Sequence, residues 1–143
     1  MRLARSRTLT AAQEDVWRVV GDPHYLPRWW PLTERVEAVD PDAWTSVMRS
    51  SRGKVVRADY HVEVDEPPSL RAWSQLLEGS PFERVLREHR TEVALAEADR
   101  GTRVTITVTQ RGRGTARLGT FLLRRATRRR VDEAMSALEE TLK

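Results

Sequence analysis

Residues 55–64 read VVRADYHVEV, and this stretch decides the class of fold. From residue 56 onward every even position is apolar, and every odd position carries a polar or charged side chain. Successive side chains of a strand point to opposite faces, so this alternation predicts a β-strand that is buried on one face and wet on the other. Tyr60 belongs to the apolar set and is therefore expected on the buried face.

Segments on both sides of this strand resemble it, and short turns separate them. Pro67-Pro68 follows the strand, while Asp40-Pro41-Asp42 and Asp99-Arg100-Gly101 contain residues typical of tight turns. The other predicted strands are Arg2–Leu9, Arg35–Val39, Ala43–Arg49, Leu70–Leu77, Arg84–Ala96 and Arg103–Arg111. Consecutive strands joined by short turns pair antiparallel, so we expect one seven-stranded antiparallel sheet.

Helical patterns lie near both ends of the chain. Two short helices are predicted between the first and second strands, at Ala11–Val20 and around His24–Leu26. A third helical pattern runs from about Leu118 to the C-terminus; its roughly 25 residues span about 37 Å at 1.5 Å per residue. Because the sheet needs a cover for its apolar face, we expect an α+β domain in which this long helix packs on the sheet.

Length and composition narrow the class of protein. The 143 residues suit a single domain spanning residues 1–143, and the absence of cysteine excludes disulfides and cysteine-ligated metals. No window approaches the ~18 apolar residues of a membrane span, and no apolar stretch follows the basic N-terminal residues as in a secretory signal. We therefore expect a cytoplasmic protein without stable membrane insertion. The formal charge is +4, and most of the excess lies in residues 117–143.

Several segments of the chain occur together in a known superfamily. They are Ala12–Trp17, Asp22-Pro23, Leu26–Pro31, the Pro67-Pro68 turn, and Gly101–Val104 ahead of the C-terminal helix. With these segments the chain resembles the START-like (SRPBCC) superfamily, also described as Bet v 1-like or polyketide cyclase-like. The resemblance implies a helix-grip fold, in which a curved seven-stranded sheet wraps around the long helix and leaves an apolar cavity. Lipid carriers, plant hormone receptors, aromatase/cyclases and co-chaperone domains share this fold, so it does not determine the function.

The predicted strand Arg84–Ala96 places polar side chains on its inner face. Its odd positions are apolar at both ends, so we expect Arg87, His89 and Thr91 to face the cavity at mid-strand. A buried charge without a partner is costly, so Arg87 requires an acid, water or a ligand. Two alternatives follow: these groups lie at a bulge or a wet edge, or they form a polar patch that orients a ligand.

The C-terminal helix raises a similar question. Its apolar stripe runs through Val131, Met135 and Leu138, and its projection towards the N-terminus carries Arg124 and Arg128, with Phe121 near its margin. In one alternative the two arginines form an anion site at the mouth of the cavity. In the other the helix shifts phase or bends, or the guanidinium groups extend outward to water.

The tandem tryptophans at positions 29 and 30 are expected to differ in their surroundings. Adjacent side chains of an extended segment cannot both point inward, so one tryptophan should pack in the core and the other should line the rim of the cavity. We expect Trp30 to contact a ligand, with Tyr60 on the neighbouring sheet face.

Other classes of site have little support in the sequence. Asp59, His61 and Glu63 are spaced like metal ligands, but they share the predicted wet face of their strand, so no metal is expected. The sequence contains no nucleotide-binding or cofactor-binding motif, so we predict that the protein uses no cofactor. The arginine-rich run 124–130 lacks interleaved aromatic residues, which argues against a nucleic-acid partner. A membrane-surface role is not expected because the core requires the apolar stripe of the helix.

The leading hypothesis for function is binding of a small apolar or amphipathic molecule between the sheet and the long helix. The alternative is a cyclase/aromatase-like enzyme that uses His89 as an acid or base in the same cavity. A second alternative is a protein-interaction module like the co-chaperone domains, with its interior filled by side chains. A contiguous pocket of several hundred Å3 would favour the first two hypotheses. No oligomeric state is predicted.

Overall fold

The computed structural model of the protein describes residues 1–50, 52–113 and 120–143. Within these ranges, seven strands form one antiparallel sheet in the order β1-β7-β6-β5-β4-β3-β2. The strands are β1 Arg2–Leu9, β2 Thr33–Glu37, β3 Ala43–Arg49, β4 Val55–Glu66, β5 Leu70–Gln75, β6 Leu86–Ala98 and β7 Gly101–Gly112. Strands β2 to β7 follow one another as predicted, and β1 lies beside β7 at the far edge.

Helices pack against the curved sheet. Helices α1 Gln13–Val20 and α2 Leu26–Trp29 lie between β1 and β2 in the sequence, with a 3-10 turn at Pro23–Tyr25 between them, and α3 spans Thr120–Thr141. The α+β helix-grip architecture is therefore confirmed. The expected start of the long helix near Leu118 lies outside the described residues.

The C-terminal half of α3 packs on the inner face of the sheet. Val131, Met135 and Leu138 are at most 1% exposed, as the predicted apolar stripe requires. In the same core, strands β1, β6 and β7 contribute Leu3, Leu9, Val93, Leu95, Val104, Ile106 and Val108, and strands β3, β4 and β5 contribute Trp44, Ala58, Tyr60 and Trp73. Full burial of a side chain of this size stabilises the fold by roughly 1.5–3 kcal/mol, so this half of the helix holds the sheet.

The N-terminal half of α3 is packed much less closely. Among residues 121–130, Thr127 is the only buried side chain. The two halves of the helix therefore have different roles: the second half builds the core, and the first half borders the space in which a cavity is expected.

Strands β1 and β3 have the predicted bounds, whereas the other strands differ from the prediction by one or two residues at one end or both, and two of these differences have a clear local cause. Strand β2 ends at Glu37 because Ala38 adopts a positive φ of 50°, which a continuing strand does not allow. Strand β6 begins at Leu86 because Pro81–Arg84 forms a 3-10 turn, in which the Ser80 side chain accepts a hydrogen bond from the backbone N–H of Phe82. The second difference matters for the site, since it moves the first residues of the predicted strand out of the sheet.

Gly101, the first residue of β7, is placed where another side chain would not fit. Its φ is 139°, and a Cβ atom at this position would overlap the carbonyl oxygen of Leu9. This close approach accompanies the pairing of Leu9 with Thr102 at the end of the β1–β7 ladder. Glycine is therefore required at this corner of the sheet.

Candidate functional site

Four polar side chains form a row across the inner face of the sheet, one from each of four neighbouring strands. Tyr60 on β4 stands opposite Gln75 on β5, and His89 on β6 stands opposite Gln110 on β7. The two pairs are joined because Nδ1 of His89 lies 3.1 Å from Oε1 of Gln75. We call Tyr60, Gln75, His89 and Gln110 the polar row.

The alternation that builds the core also positions this row. Gln75 follows the buried Trp73 by two residues, and Gln110 follows the buried Val108 by two residues. Residues two apart on a strand share a face, so both glutamine side chains lie on the inner side of the sheet. The row is a polar extension of the apolar core towards one end of the strands.

His89 is a neutral histidine with a defined tautomer. Burial lowers the pKa of His89 from 6.5 to about 4, and the positive charge of Arg130 adds to the effect. The ring therefore carries one proton at pH 7. Since the amide oxygen of Gln75 can only accept a hydrogen bond, that proton lies on Nδ1, and Nε2 is left as an acceptor.

Two amide atoms of the row are buried without a hydrogen-bond partner among the described residues. They are Nε2 of Gln75, which is a donor, and Oε1 of Gln110, which is an acceptor. A buried polar atom left unpaired costs about 1–3 kcal/mol, so folded proteins rarely leave one without a use. Tyr60 adds a hydroxyl that stays protonated, because burial raises its pKa to about 12.

Aromatic rings pack beside the polar row. Trp44 stacks on Tyr60 with the ring centroids 5.5 Å apart, and it meets the edge of Trp73 at 5.7 Å. Trp30 lies across Trp73 and Trp29 in edge-to-face contacts of 5.9 and 5.4 Å. Trp29 is 1% exposed, whereas Trp30 is only partly buried, so the expected division of roles within the tandem pair is confirmed.

A small cavity of about 80 Å3 lies between the sheet, the segment after α2, and α3. Trp30 forms one wall, Tyr60, His89 and Gln110 line the sheet side, and Arg130 approaches from α3. This volume is well below the several hundred Å3 expected from the sequence, because the tryptophan and tyrosine rings occupy much of the space between sheet and helix.

A wider cleft of about 780 Å3 opens beside the cavity, where β5 and β6 separate. Their last backbone pair is Ser74 with Arg90, and beyond it the two strands diverge. Gln75, Arg87 and His89 line this cleft. Glutamates contribute the acidic part of its wall: Glu63, Glu78, Glu83 and Glu88. Since His89 lines both spaces, it lies at the junction of a polar cleft and an apolar cavity.

The residues predicted on β6 take three different positions. His89 lines the cavity and the cleft, whereas Arg87 is exposed and reaches only the cleft. A register shift between Leu86 and Glu88 places Arg87 at an irregular position in the sheet, which agrees with the bulge alternative for this residue. Thr91 is buried opposite Trp73 and does not line either space.

The residues predicted on the first half of α3 face solvent. Phe121 is 76% exposed, and Arg124 and Arg128 are also exposed along the helix surface, outside the cavity. Arg124 donates a hydrogen bond to the backbone oxygen of Arg2 at 3.0 Å. This agrees with the alternative in which the guanidinium groups extend outward to water, and the buried face of the helix continues through Thr127. Arg130, which the sequence analysis did not select, is the arginine that reaches the cavity.

The apolar residues in the first turn of α3 do not join the core. Leu122 is 69% exposed and Leu123 is 38% exposed, and Phe121 beside them is also mostly exposed. No helix in the described part of the chain is long and apolar enough to cross a membrane.

The metal-like spacing on β4 is explained by local pairing. Asp59 accepts a hydrogen bond from the Thr45 hydroxyl at 2.6 Å, and Glu63 is held by Ser74 and Arg90 at 2.6 and 2.8 Å. In the ranges that the structure covers, no group of three or more histidine and carboxylate side chains is arranged to hold a metal ion.

Sequence reasoning did not select Gln75 and Gln110. A signal was present, since both residues continue the inward alternation of apolar strands, at Trp73 and at Val108. A polar residue in such a position is either exposed beyond the end of the core or buried beside other polar groups. The sequence of one strand does not show which, because burial depends on how the four strands are arranged.

Comparisons with known proteins identify the family and the fold. The family profile described as "Polyketide cyclase / dehydrase and lipid transport" matches residues 1–143. No curated protein is significantly similar to the chain in sequence.

Solved structures with the same fold share little sequence with this chain. TTHA0849 from Thermus thermophilus superposes with a TM-score of 0.76 at 21% identity, covering 99% of this chain and 97% of that one. Ara h 8.0201 superposes with a TM-score of 0.75 at 15% identity, covering 99% of this chain and 97% of that one. The di-domain ARO/CYC protein StfQ, from the steffimycin biosynthetic pathway, gives 0.78 at 14% identity, covering 97% of this chain and 49% of StfQ.

Proposed function

The chain belongs to the polyketide cyclase/dehydrase and lipid transport family, and from this we propose that it binds a small amphipathic molecule at the junction of the cavity and the cleft. The apolar part of the ligand lies against Trp30 and the neighbouring rings. Its polar part lies along the polar row and extends towards the cleft. The observation that carries the proposal is the position of His89 in the walls of both spaces.

The dimensions of the two spaces support joint use by one ligand. A cavity of about 80 Å3 is smaller than an engineered cavity of about 150 Å3 that holds benzene, so it accommodates only the end of a ligand. The adjoining cleft of about 780 Å3 falls within the range of about 300–1,000 Å3 that is usual for ligand pockets. The first half of α3 supplies Thr127 and Arg130 to the wall of the cavity, and most of its other side chains are exposed.

A cyclase- or aromatase-like enzyme is the second candidate function. It is favoured by one observation: His89 lines the cavity and keeps an unprotonated Nε2, which is able to accept a proton. However, a pKa of about 4 leaves only about one molecule in a thousand protonated at pH 7, so His89 is unsuited to act as a general acid. The same low pKa makes it a weak base, and binding is therefore the better-supported role.

Titration with the neutral, environment-sensitive dye Nile red tests the proposal. We expect saturable binding that quenches tryptophan fluorescence, because four of the five tryptophans lie in the aromatic cluster around the cavity. His89→Ala should weaken binding by about fivefold, the value of one hydrogen bond or a comparable packing contact. The matched control is His24→Ala, since His24 is exposed and lies outside both spaces.

Two results would contradict the proposal. Absence of saturable dye binding up to its solubility limit would favour the protein-interaction hypothesis, in which side chains fill the interior. Turnover of a polyketide-like substrate that His89→Ala abolishes, with little effect on affinity, would establish the enzyme instead.

A further inference from the structure

We infer that one end of the fold attaches reversibly to a membrane surface that contains anionic lipids. Exposed apolar side chains, exposed arginines and residues that line the cavity and the cleft lie together at this end. The inference goes beyond the proposed function, since the attachment requires no bound ligand.

The exposed large apolar side chains of the described residues all lie at one end of the sheet. This end, which we call the mouth end, is where β3 turns into β4, where β5 turns into β6, and where β7 ends. Leu32 directly precedes β2 and Val55 begins β4, while Leu76 and Val85 flank the connection between β5 and β6. These four side chains are between 41% and 54% exposed. Single exposed apolar residues are common, but their collection at one end indicates an interaction surface.

The first turn of α3 lies at the mouth end as well. Arg124 donates to the backbone of Arg2 at the start of β1, which pairs with the last part of β7. About two turns later in the helix, Asp132 pairs with Arg5 at 3.0 Å. The helix therefore runs along β1 from the mouth end towards the opposite end. Its exposed apolar turn, residues 121–123, adds three side chains to the same surface.

Basic side chains surround this apolar surface. In residues 52–54, 76–85, 113 and 121–130, which belong to the mouth end, nine basic residues stand against two acidic ones. The basic residues are all exposed: Arg52, Lys54, Arg84, Arg113, Arg124, Arg125, Arg128, Arg129 and Arg130. The turns at the opposite end, residues 10–12, 38–42, 67–69 and 99–100, carry three aspartates and one arginine. An anionic surface therefore attracts the mouth end and repels the opposite one.

The arginines of α3 follow its apolar turn closely. Arg124 and Arg125 come directly after residues 121–123, and Arg128 and Arg129 lie about 6 Å further along the axis, at 1.5 Å per residue. When the apolar turn touches a surface, even the second pair lies within about one Debye length, roughly 8–10 Å. Among the described residues, none of the four is ion-paired with a carboxylate, whereas Asp132 in the second half of the helix is held by β1.

Charge complementarity selects an anionic bilayer as the partner. A symmetric contact with a second copy of the chain would place the same patch against itself, so its arginines would oppose one another. A bilayer with anionic lipids joins an apolar interior to a negatively charged headgroup layer, so it accepts both kinds of side chain. The stripe through Val131, Met135 and Leu138 stays in the core, because the exposed apolar residues are different ones. Attachment therefore does not compete with folding.

Two of the exposed apolar side chains also border the spaces described above. Leu32 lines the cavity, and Leu76 lines the cleft. A bilayer that contacts the mouth end therefore lies against both spaces at once.

Co-sedimentation with lipid vesicles tests the inference. The probes are vesicles of equimolar phosphatidylcholine and phosphatidylglycerol, with pure phosphatidylcholine vesicles for comparison. At low ionic strength we expect the protein to bind the mixed vesicles more tightly by about tenfold or more, since each basic residue near the surface contributes about fivefold. Added salt should weaken this binding, because it screens the arginines from the lipid headgroups.

Two double variants separate the apolar contribution from the electrostatic one. Phe121→Ser/Leu122→Ser removes exposed apolar area and should weaken binding to mixed vesicles by about tenfold. Arg124→Gln/Arg125→Gln should weaken it by about 25-fold, at about fivefold per basic residue.

The matched control is Arg100→Gln/Arg103→Gln, which removes the same charge from exposed positions at the opposite end of the sheet and should leave binding close to native. All the substituted side chains are exposed, so circular dichroism and thermal unfolding should stay native-like in each variant.

Several results would overturn the inference. Absence of binding to mixed vesicles would leave the mouth end to an acidic protein partner. Equal losses in the Arg124/Arg125 variant and its control would show that net charge alone causes adsorption, and native affinity in the Phe121/Leu122 variant would remove the apolar contact. A dimer in analytical ultracentrifugation that dissociates in the Phe121/Leu122 variant would assign the surface to a second copy.

The inference and the proposed function fail separately. Vesicle binding by a chain that does not bind Nile red would support attachment and contradict the ligand site. Nile red binding by a chain that does not bind mixed vesicles would overturn attachment and leave the ligand site intact.

Discussion

Nδ1 of His89 lies 3.1 Å from Oε1 of Gln75, just beyond the point where the backbones of β5 and β6 stop pairing. A side-chain hydrogen bond thus continues the contact between two strands after the ladder has ended. It holds the imidazole ring in one tautomer and keeps it between the cavity and the cleft. The properties of His89 therefore provide the first test of the structure.

The low pKa of His89 predicts a specific loss of stability in acid. In the unfolded chain His89 binds a proton near pH 6.5, whereas in the folded protein it does so only near pH 4. The unfolded state therefore binds more protons in this window, so stability is highest above pH 6.5 and falls as the pH drops towards 4. At about 1.4 kcal/mol per pH unit, the loss between pH 6.5 and 5 is roughly 2 kcal/mol.

Urea denaturation at pH 7.5 and pH 5 measures this loss. His89→Gln removes the titrating group, so the difference between the two pH values should shrink by roughly 2 kcal/mol. His24→Gln is the matched control, and its stability should fall between pH 7.5 and pH 5 by as much as that of the native protein. An equal pH dependence in native protein and His89→Gln would show that His89 is not buried in its neutral form.

Arg130 should influence His89, whereas Arg128 should not. The charge of Arg130 helps to lower the pKa of His89, although burial is the larger cause. Arg130→Gln should therefore raise this pKa part of the way towards 6.5. Arg128→Gln changes the same charge on the exposed face of α3 and should leave the pKa where it is. NMR titration of the His89 ring protons distinguishes the two, and a shift in the Arg128 variant would contradict the placement of the helix.

The tandem tryptophans should respond differently to truncation. Trp29 is buried in the core, so Trp29→Ala should destabilise the protein by about 3–5 kcal/mol. Trp30 is partly exposed and borders the cavity, so Trp30→Ala should cost less and enlarge the space beside His89. Thermal unfolding and Nile red titration measure the two effects. A larger loss of stability in Trp30→Ala than in Trp29→Ala would reverse the assignment of core and rim.

Two glycines with positive φ, Gly53 and Gly101, allow the cost of backbone strain alone to be compared with the cost of strain plus a steric collision. Gly53 has a φ of 78°, and no heavy atom of the described chain lies within 4 Å of a Cβ placed there, so Gly53→Ala should cost only about 1–2 kcal/mol. At Gly101 the added methyl group also collides with the backbone of Leu9 and Thr10, which cannot move aside easily. Gly101→Ala should therefore be clearly more destabilising in urea denaturation. Equal costs would mean that the β1–β7 corner is looser than described.

The fold could be predicted because its signal is local. Alternation in residues 55–64 identifies β4, and the predicted bounds of β1 and β3 agree with the structure residue for residue. The stripe through Val131, Met135 and Leu138 likewise identifies the packed half of α3. In each case, the spacing of side chains along one segment determines which face is buried.

The site could be predicted only in part because it depends on contacts between distant segments. His89 was selected from its own strand, but its partner Gln75 belongs to another, and their contact depends on where β5 and β6 separate. The size of the cavity depends on how Trp30, Trp44 and Trp73 pack together, which no single stretch of sequence determines. The helical period alone left two alternatives open for Arg124, because the sequence does not show that the first half of α3 packs less closely on the sheet than the half that carries Met135.

The place of β1 at the edge beside β7 has a consequence for how the chain acquires its structure. Arg2 pairs with Thr109, so during synthesis β1 has no hydrogen-bonding neighbour in this sheet until β7, about 100 residues later, has been made. Such high contact order slows folding and prolongs the time that a strand edge is open to aggregation. Arg2, Arg5 and Arg7 lie within β1, and charged side chains on an unpaired strand discourage association with other chains. We therefore expect the arginines of β1 to disfavour pairing with other chains before β7 is in place.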